Sequence, residues 1–192
     1  CHTRVSQVAV YLASRMAKTP YMTTCHGFFK KKLGRRLFDT WGDKVIAISE
    51  PVKQGLIRDF NVAPKRIELI PSGVDVDRFR NMYSGEEILN YKRELNLGDG
   101  MIIGTIGRLS PVKGHKIYIE AMSRVLRNGY RVKGIIVGSG PEEENLKSLA
   151  GDLGLGDSFK FFKSTPDTAR YLSIMDIFVF PSIKEGLGLA LL

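Results

Sequence analysis

Gly107-Arg108-Leu109-Ser110-Pro111-Val112-Lys113-Gly114 places a guanidinium and an ammonium on one short segment bounded by glycines. Two cations so spaced suit a diphosphate, the guanidinium by bidentate bonding and the ammonium as a point charge. A solvated basic loop is the ordinary alternative. A second candidate lies near the end of the chain, in Phe180-Pro181-Ser182-Ile183-Lys184-Glu185-Gly186-Leu187-Gly188-Leu189. Glu185 can accept hydrogen bonds from sugar hydroxyls, and Gly186 and Gly188 let a backbone approach closely. An apolar helix starting at Gly188 and Leu189 would offer N–H groups and a partial positive charge to a phosphate. An acidic N-cap followed by a tight glycine turn explains the same residues without a ligand. The chemistry these residues suggest together is recognition of an anion joined to a polyhydroxyl group.

Each candidate needs a strand behind it. Met101 to Ile106 is a short Ile-rich run, the signature of a buried parallel strand. Asp176 to Phe180 reads the same way before the second candidate. After the Arg–Lys loop, Ile117, Ala121, Val125 and Leu126 mark one buried face of a helix over 115–128. The remaining pattern alternates. Helices are expected over 5–18, 28–41, 51–60, 86–95, 142–153 and 167–174, and strands over 21–25, 44–48, 66–70, 132–137 and 158–162. Such alternation gives an α/β fold with parallel sheets covered by helices. The turn-rich stretch 72–100 holds the expected junction, with one Rossmann-like domain over 1–75 and a second over 76–192.

Several segments together resemble a known family. They are Gly-Arg-Leu with Lys113-Gly114, Val137-Gly138-Ser139-Gly140-Pro141, and Phe180-Pro181-Ser182 with Glu185-Gly186-Leu187-Gly188-Leu189. Upstream, Val45 to Glu50 and Ile70 to Phe79 follow the same family's order, with Ser72 where Asn is commoner. The chain is similar to the retaining, nucleotide-sugar-dependent glycosyltransferases of family four, which have the GT-B fold. The resemblance implies an incomplete N-terminal domain for the acceptor and a truncated C-terminal domain for the donor, with the chemistry in the cleft between them. Arg108 and Lys113, after Gly107, match the diphosphate-binding pair. Gly188 and Leu189 match the backbone N–H groups at the helix start. Glu185 matches the first Glu of the E-x7-E motif, which contacts the donor sugar; the second would follow Leu192. The resemblance implies no metal ion or other cofactor, and Asp75-Val76-Asp77 reads as a turn in the connecting segment. Phe162 falls where the family meets the nucleobase, though a pair of core aromatics, Phe161 and Phe162, is the plainer reading. His2 lies in a segment similar to the family's His-x-His region and is the candidate active-site histidine, with His26 as the alternative. Gly138 and Gly140 suit either a ligand-facing loop or tight strand–helix packing, with Pro141 opening a helix. His115 is expected to be exposed beside a helix start.

Composition bounds the rest. The 192 residues are 43% hydrophobic, which places the chain in the globular class. A net charge of +9 points to anionic partners: a nucleotide sugar, or an anionic membrane surface. Nucleic acid is disfavoured, because no recognition motif or aromatic–basic strand pattern is present. Two cysteines, Cys1 and Cys25, without a metal-type spacing, fit reduced thiols and a cytoplasmic location. No apolar run reaches membrane-spanning length. Phe29, Leu33, Leu37 and Trp41 recur at i+4 among Lys30, Lys31, Lys32, Arg35 and Arg36. That segment is either a basic amphipathic helix for the inner face of a membrane or an ordinary helix burying its stripe. The chain opens on Cys1 and closes inside an expected helix, so it reads as part of a longer protein. The expected function is sugar transfer from a nucleoside-diphosphate sugar to a carbohydrate or lipid-linked acceptor with retention of configuration. A non-catalytic nucleotide-sugar-binding module and a nucleotide-sugar 2-epimerase on the same fold are the alternatives.

Overall fold

Alternating strands and helices run through the computed structural model, which describes residues 1–29, 39–80 and 83–192. The chain divides into two units, Cys1–Val74 with Glu185–Ala190 and Leu192, and Asp75–Lys184 with Leu191.

The first unit contains α1 (Arg4–Ala17), β1 (Met22–Cys25), β2 (Lys44–Ala47), α2 (Glu50–Phe60) and β3 (Ile67–Leu69). The strands form a parallel sheet in the order β1-β2-β3. Thr3 caps α1 by accepting the Ser6 N–H at 3.3 Å, and Lys18 ends it in a left-handed conformation, φ 51°. Ser49 caps α2, Pro51 stands in its first turn, and Asn61 closes it at φ 55°. Val45 and Ala47 of β2, Val52, Leu56 and Phe60 of α2, and Trp41 form the core. Trp41 follows one of its two sequence readings here, and α1 departs from its own. Trp41 is 2% exposed, edge-on to Phe29 with ring centres 5.7 Å apart and 5.5 Å from Phe60. It is therefore a core anchor and not part of a surface stripe. Leu33, Leu37 and the basic residues around them lie outside the described residues. In α1, the apolar positions Val5, Val8, Leu12 and Met16 are exposed, and Gln7 is the buried residue. Spacing shows that an apolar face exists, not what packs on it.

The second unit contains α3 (Gly85–Glu94), β4 (Met101–Ile106), α4 (His115–Arg127), β5 (Val132–Val137), α5 (Glu143–Asp152), β6 (Phe159–Phe162), α6 (Thr168–Ser173) and β7 (Ile177–Phe178). Its parallel sheet has the order β6-β5-β4-β7. Successive side chains of a strand point to opposite faces, and both faces are covered. Ile136 packs with Tyr118, Ile119 and Met122 of α4 and Leu146 of α5, whereas Ile135 and Val137 pack with Tyr91 of α3 and Ile174. This is why β4 reads as a nearly continuous apolar run and β5 ends in one, Ile135-Ile136-Val137. The expected buried strand over 176–180 is instead a two-residue edge strand, with Ile177 45% exposed. Among the described residues it pairs with β4 alone. Asp176 anchors it by accepting the Ile102 N–H at 2.7 Å. Among the described residues no helix is long and apolar enough to cross a membrane.

Candidate functional site

The strand order of the second unit fixes where a ligand can enter. From β4 the chain moves outward through β5 and β6, then returns to the other side of β4 with β7. The strand order thus reverses between β4 and β7, and open parallel sheets bind ligands beyond the carboxyl ends of strands at such a switch point. The segment after β4 is 107–114 and the segment after β7 runs from Val179 through Pro181. The two are joined directly: Ile183 N–H donates to Val112 O at 2.9 Å. Gly114 has φ +67°, and a Cβ there would overlap Pro181 O. No other residue type fits that position without moving one of the two loops.

The loops after β5 and β6 continue the rim. Gly107 N–H donates to Val137 O at 3.0 Å, Leu109 N–H to Ser139 O at 3.1 Å, Glu142 N–H to Leu109 O at 3.2 Å, and Gly138 N–H to Phe162 O at 2.8 Å. A Cβ on Gly138 would overlap Gly107 O, and one on Gly140 would overlap Leu109 O. Of the two readings of these glycines, close backbone packing is what the contacts show. Ser139 Oγ accepts the Ser164 N–H at 3.1 Å and so ties in the loop after β6. Leu109 is buried and Pro111–Lys113 form a 3-10 turn. Arg108 is exposed and Lys113 half-buried, so the two cations stand on a loop whose backbone is held from both sides. Phe162 packs on Tyr171, ring centres 5.3 Å apart, and on the core beneath α3 and α6.

One neighbour of this loop departs from expectation. His115 is 3% exposed, not exposed, because α4 begins against the underside of the loop. Its Nε2 lies 3.2 Å from Arg108 O. Burial pushes the imidazole pKa down, as does Lys113, against the upward pull of the Arg108 carbonyl.

In the first unit, His2, His26, Ser49 and Glu185–Leu189 collect near the carboxyl ends of β1 and β2. His2 Nδ1 and His26 Nε2 are 3.0 Å apart, so one ring donates to the other. His2 thus forms a pair with the histidine that sequence alone offered as its alternative. Ser49 Oγ, besides capping α2, donates to Gly186 O. A Cβ at Gly186 would lie 2.7 Å from Gly27 Cα and 2.9 Å from His26 O. Glu185 is half-buried. Gly188 leads into a single 3-10 turn, Leu189–Leu191, in place of the expected helix, and Leu189 N–H is taken by Leu187 O at 2.9 Å. A recess of this unit, about 530 Å³, lies at the opposite, amino end of the sheet, beside Tyr21, Asp43 and Arg66. Arg66 is committed there to Asp39 and to Gly42 O, which makes that recess a structural joint.

Comparison with known proteins gives the family. The sequence model described as Glycosyl transferases group 1 matches residues 88–192, and the one described as Glycosyltransferase Family 4 matches residues 1–78. The chain belongs to this glycosyltransferase family. A 2-deoxystreptamine glucosyltransferase of Streptomyces kanamyceticus is 25% identical over 75% of the chain and 38% of its own length. The Escherichia coli UDP-Gal:alpha-D-GlcNAc-diphosphoundecaprenol alpha-1,3-galactosyltransferase is 28% identical over 100% of the chain and 54% of its own length. The structure of Anabaena Alr3699/HepE in complex with UDP and glucose superposes with a TM-score of 0.84 at 23% identity, covering 97% of this chain and 53% of that one. The chain thus spans about half the length of relatives it matches. Its fold is of the GT-B type, with a parallel, Rossmann-like sheet in each unit. Arg108, Lys113 and the glycines at 107, 114, 138 and 140 stand on one rim of the second unit, and His2, Glu185, Gly188 and Leu189 belong to the first. Sequence reasoning missed His115 as a buried support and Ser49 as a partner of Gly186. Ser49 is legible as a helix cap, but its bond to Gly186 joins residues far apart in the chain.

Proposed function

We propose that the protein moves a sugar from a nucleoside-diphosphate sugar to a carbohydrate or lipid-linked acceptor, with retention of configuration. The observation that carries the proposal is the placement of Arg108 and Lys113 on one braced loop at the strand-order switch. As the bond between the sugar carbon and the diphosphate breaks, negative charge grows on the departing phosphate oxygen. Cations held in advance at that point stabilise it more than they stabilise the ground state. Glu185 accepts hydrogen bonds from hydroxyls of the donor sugar, and His2, paired with His26, is the active-site histidine. The reaction needs no metal ion, so EDTA leaves turnover unchanged. The diphospholipid named for the Escherichia coli relative and the UDP and glucose bound by the Anabaena protein support this choice of substrates. An acceptor carried on a lipid would bring the protein to the inner face of a membrane as a peripheral partner.

Calorimetric titration with UDP, GDP and ADP tests the donor half of the proposal. Arg108→Ala and Lys113→Ala are each expected to weaken the nucleoside diphosphate that binds by about 1.5–3 kcal/mol, the size of a charge-assisted hydrogen bond. Arg108 is exposed and leaves no buried orphan when truncated, so its loss falls at the lower end. Wild-type affinity in both variants would remove the diphosphate from this loop.

A further inference from the structure

His115 is a buried imidazole at the first position of α4, directly beneath the loop that carries the two cations. Its ring lies against Gly107: a Cβ placed on that glycine would be 3.8 Å from both Cε1 and Nε2. Because Arg108 O can only accept, the 3.2 Å contact requires the proton on Nε2. Nδ1 is buried and has no hydrogen-bond partner among the described residues. A phenylalanine would fill the same volume without that orphaned nitrogen, so the group that the imidazole supplies is the Nε2–H. The carbonyl it holds also accepts the Ser110 N–H at 2.9 Å. These two bonds fix the peptide plane between Arg108 and Leu109, whose N–H points to Ser139 O. One end of the cation loop is thereby pinned from below by His115 and from the side by the loop after β5.

We infer that His115 is a positioning residue for the donor: its Nε2–H holds the Arg108 carbonyl and so sets the loop from which Arg108 and Lys113 reach the diphosphate. The inference rests on the diphosphate reading of this loop. Burial and the neighbouring Lys113 both disfavour the charged ring, which keeps the imidazole a neutral single donor. The charge for the ligand then comes from Arg108 and Lys113, while His115 supplies shape.

The test compares wild type, His115→Phe and His115→Gln in the purified protein, by calorimetry with UDP, GDP and ADP and by thermal melting. For whichever nucleoside diphosphate wild type binds, the Phe variant is expected to bind about five- to tenfold more weakly, the effect of one net hydrogen bond. Its melting temperature should be unchanged or higher. Gln, whose amide can donate to the same carbonyl, should return the affinity to within about twofold. A role in packing alone would give the reverse order, Phe tolerated and Gln not. A second measurement, ¹⁵N NMR of the wild-type imidazole, should show the neutral Nε2–H tautomer and a shift on nucleotide addition. Should the Phe variant fail to fold, the tautomer decides, and an Nδ1–H ring overturns the inference. Wild type binding no nucleoside diphosphate removes the diphosphate reading and the inference with it. Wild type binding while Phe binds equally well removes the inference alone.

Discussion

Replacing Gly138 with alanine drives a methyl group into the Gly107 carbonyl and brings it to 3.4 Å from Leu109 Cδ2. The obstacle is backbone, not the end of a flexible side chain, so one of the two loops must shift. The Gly107-to-Val137 and Gly138-to-Phe162 hydrogen bonds, 3.0 and 2.8 Å, share the moving atoms. Overpacking of this kind costs about 1–3 kcal/mol, and the upper half of that range fits a site where hydrogen bonds are disturbed as well. For a unit of this size the unfolding entropy is about 0.2 kcal/mol/K, so a loss of roughly 2 kcal/mol lowers its melting temperature by about 10 °C. Nucleoside-diphosphate affinity should fall in the same variant, because Gly107 leads directly into Arg108. Gly85→Ala is the control: it meets nothing within 4 Å and begins α3, where alanine is neutral or slightly stabilising. Melting by calorimetry and binding by titration read the two effects separately. If Gly138→Ala melts within about 2 °C of wild type and binds with wild-type affinity, the interlocking of the two loops carries neither stability nor function.

Further outcomes follow from the first unit. Trp41→Ala should destabilise the protein by about 3–5 kcal/mol, as large core truncations do, and leave co-sedimentation with anionic vesicles unchanged; weaker vesicle binding by a folded variant would restore Trp41 to a membrane surface. Burial pushes the Cys25 thiol up to about 11 from 9.0. A raised pKa means that its contribution to stability is complete below pH 9 and is lost as pH climbs through about 11. Denaturant melts of wild type and Cys25→Ala across that range should converge, and iodoacetamide at pH 8 should leave Cys25 unmodified in the native protein.

Much of this architecture was legible before any coordinates. The Ile-rich run 101–106 became β4 at those residues, and the helix expected over 115–128 is α4. Both were readable because a strand covered on two faces must be apolar throughout and a helix covered on one face must repeat its apolar positions. The location of the cation loop followed from the strand before it. What sequence could not show was the identity of the covering surface. Val5, Val8, Leu12 and Met16 of α1 have the spacing of a buried face and are exposed, whereas Trp41, flanked by charged segments, is among the most buried residues. The same gap hid His115: a histidine after Lys113-Gly114 looks solvated until the underside of the loop is in place. The reason for the glycines at 138 and 140 was likewise invisible, since the carbonyls they accommodate belong to a loop about 30 residues earlier.

The braced rim also bears on how this protein can change over evolutionary time. The loops after β4, β5 and β6 are hydrogen-bonded to one another past the ends of the strands, so the sheet in effect continues into its own connections. An inserted residue in 107–114 or 138–141 would put every following bond out of step. At the other end of the strands, the turns around Gly129 and Gly154 have open space beside them. Length variation among descendants of this sequence should therefore collect at the amino ends of β5 and β6. Change at the carboxyl rim should come instead by exchange of side chains on loops of constant length.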